Sequence, residues 1–215
     1  MKRPLTILVP LALVALLIYQ WWHSGAARLV NRAVEKERAG DLDGAIADLN
    51  RAVEADPSFA IAYFNRGLLR YQKQDWDGSV ADFTKPIDLG VRDKFAEALT
   101  NSGLARQQLH DLDGALADHD KAIAADPGYA GSYVNRAGVR EDLGDIDGAF
   151  ADLNKAISLN PKQAEAWADR EMLQFKRGKE QEAAADFAEA IRLRPEMKRR
   201  IDLFRQRHQK GGIAS

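Results

Sequence analysis

The sequence has no cysteine among its 215 residues, and it has only four histidines. Without cysteine, disulfides, zinc–thiolate sites and cysteine nucleophiles are all excluded. The compartment stays open, because a chain without thiols suits oxidising and reducing surroundings alike. The histidines are not at metal-ligand spacing from one another, and neither a Gly-rich phosphate loop nor a nucleophile elbow is present. These absences predict a protein that is not an enzyme, with no metal, no cofactor and no small-molecule substrate.

The sequence also lacks an excess of charge of either sign. It has 31 Lys and Arg against 32 Asp and Glu, for a net charge of −1. The chain starts with Lys2 and Arg3, and six cations against two acids follow from Glu196 onward, so the middle of the chain is acidic. An acidic body does not favour nucleic acid as a partner. With 46% apolar and 29% charged residues, a folded chain is expected.

Long apolar runs are absent except for one, at residues 5–22. An apolar helix of this length rises about 27 Å, enough to cross the hydrocarbon core of a bilayer. Aromatic side chains, which prefer the headgroup layer, stand at the far end of the run: Tyr19, Trp21 and Trp22. Residues 1–25 are therefore predicted to form a transmembrane helix that acts as a signal anchor.

A cleaved secretory signal is the alternative interpretation of this segment. Ser24 and Ala26 are small residues that could flank a cleavage site, although bulky Trp22 and His23 fit cleavage poorly. The basic start favours a cytoplasmic N-terminus. The rest of the chain is then expected on the periplasmic or extracytoplasmic side of the membrane. It would be held there by the anchor or, after cleavage, be a soluble periplasmic protein.

Internal repetition is the strongest feature of the sequence. The octet "DGAIADLN" at residues 43–50 recurs in related form at residues 77–84, 113–120 and 147–154, with spacings of 34, 36 and 34 residues. A period of 34 residues is typical of a repeat made of two helices. The pattern predicts five repeats followed by a basic capping helix and tail at 198–215. The repeats are 26–59, 60–95, 96–129, 130–163 and 164–197.

Residues at recurring positions have clear physical roles in such a repeat. Aspartates are predicted to cap the second helix: Asp43, Asp77, Asp113 and Asp147. Glycines are predicted to close the first helix in a left-handed conformation: Gly40, Gly144 and Gly178. Prolines are predicted to stop the second helix: Pro57, Pro127, Pro161 and Pro195. Small residues alternate with large ones at the predicted helix contacts, as close packing requires.

The segment "AEAWADREMLQFKRGKEQEAAADFAEAIRLRP" at residues 164–195 resembles a tetratricopeptide repeat of the bacterial type. It has the residues of that family's pattern at Trp167, Gly178, Ala183, Phe187, Ala190 and Pro195. Glu171 departs from the small residue that the pattern expects. The resemblance implies an all-α fold, in which five antiparallel helix pairs form a right-handed superhelical solenoid with a concave groove. It also implies a scaffold or adaptor that binds a partner protein or peptide.

Repeat two is irregular. Pro86 replaces a small residue, the closing proline is missing, and two additional residues are present. Proline removes a helical hydrogen bond, so the helix is predicted to kink or end near Pro86. We therefore predict a break in the regular stacking of repeats two and three. The alternative interpretation of the irregular residues is a loop variation that the stacking tolerates.

Two polar ladders run through the repeats. The first pairs Arg32, Arg66, Arg136 and Arg170 with Asp48, Asp82, Asp152 and Asp186, and its predicted role is structural. The second consists of Asn31, Asn65, Asn101 and Asn135. An amide offers both a donor and an acceptor, which suits an extended peptide backbone. Asparagines at this position hold a ligand's main chain in some members of the resembled family, and an internal role in bridging helices is the alternative.

Apolar positions beside the asparagines complete the predicted binding groove. Phe64, Leu68 and Tyr71 share one helix face, and this face is predicted to be available to a partner. The equivalent groove residues in later repeats are Leu104, Met172 and Phe175. Two other classes of function stay open: a structural or self-assembling subunit, and a non-catalytic part of a larger membrane-associated complex. The basic tail suits a capping helix, or docking to anionic lipid or an acidic protein.

Overall fold

The computed structural model describes residues 25–90 and 95–211, and these residues are all-helical. Each predicted repeat contains two helices of 13 or 14 residues, and a last helix follows repeat five. Within the described ranges the helices are α1 Gly25–Arg38, α2 Leu42–Ala55, α3 Ala60–Gln72, α4 Trp76–Asp88, α5 Phe95–Gln108, α6 Leu112–Ala125, α7 Ala130–Asp142, α8 Ile146–Leu159, α9 Ala164–Lys176, α10 Glu180–Leu193 and α11 Met197–Gly211.

The two helices of a repeat run antiparallel. In repeat four, Arg136 of α7 donates a hydrogen bond to Asp152 of α8. Arg140 lies one turn after Arg136 in α7, and it donates to the carbonyl of Gly148, which lies one turn before Asp152 in α8. Four of the second helices end two residues before the predicted proline, because proline cannot continue the helix. The all-α fold of paired helices is therefore confirmed in the described residues.

The predicted capping aspartates were placed two residues too late. The side chains that accept from the first turn of the second helix belong to Asp41, Asp75, Asp111 and Asp145. Each accepts from the backbone N–H of the glycine three residues later, and Asp145 does so at 2.9 Å from Gly148 N. The sequence offers two aspartates before each glycine, and only the earlier one has the reach of an N-cap residue.

The described residues divide into two compact units, which we call unit 1 (residues 25–90) and unit 2 (residues 95–211). Helix α4 continues through Pro86, which lies in its last turn, and ends two residues later at Asp88. The division falls near the end of predicted repeat two, and a break in the regular stacking there stays a prediction. The superhelical path through all five repeats stays a prediction.

Each unit has its own apolar core, built from small residues facing large ones. A Cβ atom added at Gly67 of α3 would lie 2.9 Å from the ring of Phe83 in α4, so the ring needs glycine opposite it. Leu49 and Leu153 fill the same position in repeats one and four and are fully buried. The equivalent residue in repeat three is His119, which is also fully buried. Met197 and Ile201 of α11 are buried against repeat five, as predicted for a capping helix.

The first helix closes through a left-handed residue in repeats one to five. The predicted glycines Gly40, Gly144 and Gly178 have φ of 81°, 82° and 71°. In repeats two and three the left-handed position is held by Gln74 and His110, with φ of 63° and 59°. A residue with a Cβ is strained in this conformation.

Replacing His110 with glycine is expected to raise the free energy of unfolding by about 1 kcal/mol, because glycine adopts the left-handed conformation without a steric penalty. Urea denaturation at neutral pH measures the change. The matched control is Gly144→His, which places histidine at the same position of repeat four and is expected to have the opposite sign. Equal stabilities for wild type and His110→Gly would contradict the assignment of strain to His110.

Within residues 25–90 and 95–211, we found no helix with both the length and the apolar character that a membrane crossing needs. The predicted anchor at residues 5–22 lies outside the described residues.

Candidate partner-binding faces

The first helices of successive repeats lie side by side within each unit. Helix α1 contacts α3 in unit 1, and α5 contacts α7, which contacts α9, in unit 2. The hydroxyls of Thr100 and Ser132 meet at 3.2 Å between α5 and α7, and Lys176 of α9 donates to Glu141 of α7 at 2.5 Å. The four asparagines of the second predicted ladder lie on these first helices, two in each unit. We call the surface that contains them the first-helix face of that unit. In unit 1 it contains Asn31, Ile61, Asn65, Leu68 and Tyr71. In unit 2 it contains Asn101, Leu104, Asn135, Met172 and Phe175.

The predicted arginine–aspartate ladder is present and holds the two helices of a repeat together. In repeat four, Arg136 donates through Nε and Nη2 to the two carboxylate oxygens of Asp152, at 2.9 and 2.6 Å. The same two-point geometry joins the other predicted pairs, Arg32 with Asp48, Arg66 with Asp82 and Arg170 with Asp186. In repeat three, Ser102 replaces the arginine and donates to Asp118 at 2.7 Å. Two parallel charge-assisted bonds fix the helix register.

A second row of cations, which the sequence analysis missed, reaches the same aspartates. It lies four residues later on the first helices and consists of Lys36, Arg70, Arg106 and Arg140. Each aspartate of the first four repeats therefore receives a cation from this row. The signal was visible in the sequence, because a basic residue recurs at the repeat period. Repeat five has Gln174 at this position instead.

The arginines of the first row also connect neighbouring repeats. Arg66 donates to Asn50 of the preceding second helix at 2.9 Å, and Arg136 donates to Asp120 at 2.7 Å. The hydrogen bond from Arg32, followed by one from Lys36, lowers the pKa of Asp48 to about 2. The hydrogen bonds that Arg136 donates to Asp152 and Asp120 raise the pKa of Arg136 above its ordinary value. These carboxylates and guanidiniums hydrogen-bond one another within and between repeats, which agrees with the structural role predicted for the ladder.

The four asparagines of the second ladder are differently placed. Asn31 is exposed, and Asn65, Asn101 and Asn135 are half-buried. None of these amides makes a hydrogen bond with another residue in the described ranges, so the amide groups do not bridge helices there. The only asparagine amides that arginines engage in this part of the chain are on the second helices, at Asn50 and Asn154. The first-helix amides are therefore free to meet a ligand.

In unit 1 the predicted apolar stripe is only partly accessible. Phe64 is 5% exposed and its ring packs edge-on against Phe83, with centroids 5.6 Å apart. It belongs to the core, and its assignment to an available face is corrected. Leu68 is 41% exposed, and Tyr71 is half-buried against Trp76. Burial raises the pKa of the Tyr71 phenol.

Ile61 is an accessible apolar residue that the sequence analysis missed. It is 44% exposed and stands seven residues before Leu68, two turns earlier on the same side of α3. Its position in the repeat is held by alanine, glutamate or glycine elsewhere, so an isoleucine there is the signal that could have identified it.

In unit 2 the face has a gap at its centre. Leu104 and Met172 are half-buried at equivalent positions of α5 and α9, and the equivalent position of α7 is Gly138. A Cβ added at Gly138 would meet nothing closer than the Gln107 amide nitrogen, at 3.9 Å. Phe175 is half-buried, with its ring 6.3 Å from that of Phe204 in α11.

Repeat five departs from the pattern in its polar residues. Asp169 stands where the other repeats have asparagine, accepts from Arg200 of α11 at 2.7 Å, and has its pKa raised to about 6 by burial. Glu171 occupies the small-residue position and is fully buried, with Arg205 of α11 donating to it at 2.6 Å. Burial raises the pKa of Glu171. These residues bind the capping helix and are not available to a ligand.

Comparison with known proteins identifies the repeat. Residues 38–87 match a family model described as TPR repeat, and residues 130–163 match one described as tetratricopeptide repeat. Tetratricopeptide repeats are therefore present at these residues of the chain. The comparison with curated protein sequences found no match.

Several solved structures share the fold. MamA is 24% identical with a TM-score of 0.67, over 78% of this chain and 96% of MamA. YrrB, described as a TPR protein with an unusual peptide-binding site, is 18% identical with a TM-score of 0.66, over 91% of this chain and 98% of YrrB. A thermophilic TPR protein of Thermus thermophilus, TTC0263, is 20% identical with a TM-score of 0.68, over 83% of this chain and 98% of its own. At these identities the likeness concerns the fold alone.

Proposed function

We propose that this chain is a non-enzymatic interaction scaffold that binds a partner protein or peptide on the first-helix faces of its tetratricopeptide repeats. The observation that carries the proposal is the contrast between the two polar ladders. The arginines and aspartates bond one another and hold the paired helices together. The asparagine amides beside them have no hydrogen-bond partner among the described residues. An extended backbone presents the donors and acceptors that such amides match.

The apolar residues beside the amides give the ligand its side-chain contacts. Leu68 and Ile61 expose apolar surface in unit 1, and the gap at Gly138 lies between Leu104 and Met172 in unit 2. A ligand with a large apolar side chain at one position would fill this gap. A peptide-binding site is named in the description of YrrB, which shares the fold.

The Gly138 gap offers a test in which binding and stability move in opposite directions. We expect Gly138→Leu to abolish binding of a peptide selected by display on the full-length protein, because leucine fills the space. We also expect a free energy of unfolding about 0.5–1 kcal/mol higher, because leucine forms helix better than glycine. Fluorescence anisotropy measures the affinity and urea denaturation the stability.

Two further variants complete this experiment. Asn135→Ala is expected to weaken binding by about five- to tenfold, the loss of one or two hydrogen bonds. The matched control is Gln181→Ala, which removes an exposed amide from the second helix of repeat five and is expected to leave affinity unchanged. Full affinity in both Gly138→Leu and Asn135→Ala would contradict binding at the first-helix face of unit 2.

We also propose that residues 5–22 anchor the chain in a membrane, with the repeats on the extracytoplasmic side. The length of this run, its lack of charged residues and the aromatic residues at its end support the proposal. Retention in the membrane fraction after carbonate extraction, together with an intact N-terminus on sequencing, is the expected result. Release into the soluble fraction with a new N-terminus near Ser24 would instead support a cleaved signal and a soluble periplasmic protein.

A further inference from the structure

The last helix, α11, has an outer surface that the scaffold does not use. Its inner side is occupied: Met197 and Ile201 are buried against repeat five, and Arg200 and Arg205 bond Asp169 and Glu171. On the opposite side stand Arg199, Leu203, Gln206 and Arg207, all of them exposed. We call these four residues the outer face of α11.

The spacing of the outer face places an apolar residue between two cations. Arg199, Leu203 and Arg207 are four residues apart, so their side chains follow one another along one side of the helix. Leu203 is 46% exposed, among the most exposed of the large apolar residues in the described ranges. It lines an open surface depression of about 400 Å³. The charged residues of that lining are Arg199, the Lys198–Asp202 ion pair and Glu196, which pairs with Arg194.

The two arginines of this face have no electrostatic partner within the described residues. The other lysine and arginine residues of α11 whose side chains the structure describes form ion pairs: Lys198 with Asp202, Arg200 with Asp169, and Arg205 with Glu171. Unpaired guanidiniums on either side of an exposed leucine are suited to a ligand that supplies carboxylates.

We propose that the outer face of α11 docks an acidic amphipathic helix of a partner protein, with an apolar side chain on Leu203 and carboxylates on Arg199 and Arg207. Charge complementarity selects the sign of the partner, and the ridge of a helix fits the open depression beside Leu203. An anionic membrane is a poorer occupant. The apolar side of α11 is already buried against repeat five, which leaves one leucine to enter a bilayer.

A designed peptide tests the proposal directly on the full-length protein. The probe is a fluorescein-labelled, alanine-rich helical peptide with Glu, Leu and Glu at positions four residues apart, matching the spacing of Arg199, Leu203 and Arg207. We expect saturable binding by fluorescence anisotropy that weakens as salt is raised. In Arg199→Glu/Arg207→Glu the affinity is expected to fall by at least about tenfold. In Leu203→Ser it is expected to fall severalfold.

Charge exchange separates docking from damage to the helix. The same peptide with both glutamates replaced by lysine is expected to bind Arg199→Glu/Arg207→Glu better than it binds wild type. The matched control is Lys155→Glu, which reverses an exposed cation on α8 and is expected to bind like wild type. Because the outer face of α11 is distinct from the first-helix faces, Gly138→Leu is expected to leave this binding unchanged.

Four outcomes would overturn the proposal. They are the absence of binding, equal affinity in wild type and Arg199→Glu/Arg207→Glu, and failure of the charge-exchanged peptide to bind the reversed variant. In the fourth, wild type does not bind the acidic peptide but binds phosphatidylserine vesicles or self-associates in sedimentation. Arg199→Glu/Arg207→Glu then loses that vesicle binding or self-association. That result would assign the face to a membrane or to a second copy of the chain.

Discussion

Replacing Asp152 with alanine is expected to lower the free energy of unfolding by about 3 kcal/mol or more, the largest loss we expect from a single side chain in the ladder. The carboxylate is 3% exposed and receives three bonds, two from Arg136 and one from Arg140. Removing it leaves two guanidiniums in a partly buried position without their main counter-charge. Urea denaturation followed by circular dichroism measures the loss.

An aspartate on the same helix provides the control. Asp147 pairs with Arg177 but its side chain is 92% exposed, so Asp147→Ala is expected to cost no more than about 1 kcal/mol. A double-mutant cycle on Arg136 and Asp152 isolates the pair, and a coupling free energy of at least about 1 kcal/mol is expected. Additive effects of Arg136→Ala and Asp152→Ala would refute the role of this pair in joining α7 to α8.

Replacing His119 with leucine is expected to raise the free energy of unfolding by about 2 kcal/mol at neutral pH. The imidazole is fully buried, and neither ring nitrogen has a hydrogen-bond partner among the described residues. A buried polar group without a partner costs about 1–3 kcal/mol. The ring packs against Gly103, where an added Cβ atom would lie 2.6 Å from it. Leucine already fills this position in repeats one and four, so its shape is compatible with the neighbouring helix.

The same histidine makes stability depend on pH. Burial lowers the pKa of His119 to about 4, with Arg136 lowering it further and Asp118 and Asp120 raising it. The unfolded chain, with an ordinary histidine pKa near 6.5, therefore binds more protons than the folded chain between about pH 4 and 6.5. The contribution of His119 to stability is expected to fall as the pH drops through this window, by up to about 3 kcal/mol in total. Asp169, whose pKa burial raises to about 6, contributes with the opposite sign.

Urea denaturation at several pH values between 4 and 7 tests this dependence. In His119→Leu the contribution of this residue to the pH dependence is absent, so the stability of the variant relative to wild type should increase as the pH falls from 7 to 4. Replacing the exposed His208 with leucine is the matched control, and its curve is expected to follow wild type. Parallel curves for wild type and His119→Leu would show that His119 is not the titrating group.

The sequence predicted the helix pairs and their main clamp because both follow from a repeated spacing. Arg136 and Asp152 recur with the same separation in four repeats, and antiparallel helices joined by a short turn bring such positions together. The capping residue was misplaced because Asp145 and Asp147 both precede Gly148, and only backbone geometry distinguishes the one whose side chain can reach the glycine N–H.

The candidate site was less predictable than the scaffold. Phe64 was assigned to the accessible face because other residues already filled the predicted core positions, yet its ring packs against Phe83. Ile61 was missed because a single apolar residue outside the recurring pattern gives no periodic signal. The gap at Gly138 depends on what neighbouring helices place around it, and this information is absent from one helix's sequence.

Side-chain amide NMR during titration with a display-selected peptide tests the central claim, that the scaffold leaves its first-helix asparagines free for a ligand. The account predicts shifts in the side-chain amide signals of the first-helix asparagines, above all Asn101 and Asn135, while those of Asn50, Asn154 and Gln181 stay in place. Shifts confined to the second-helix amides, with the first-helix signals unchanged at saturation, would contradict it.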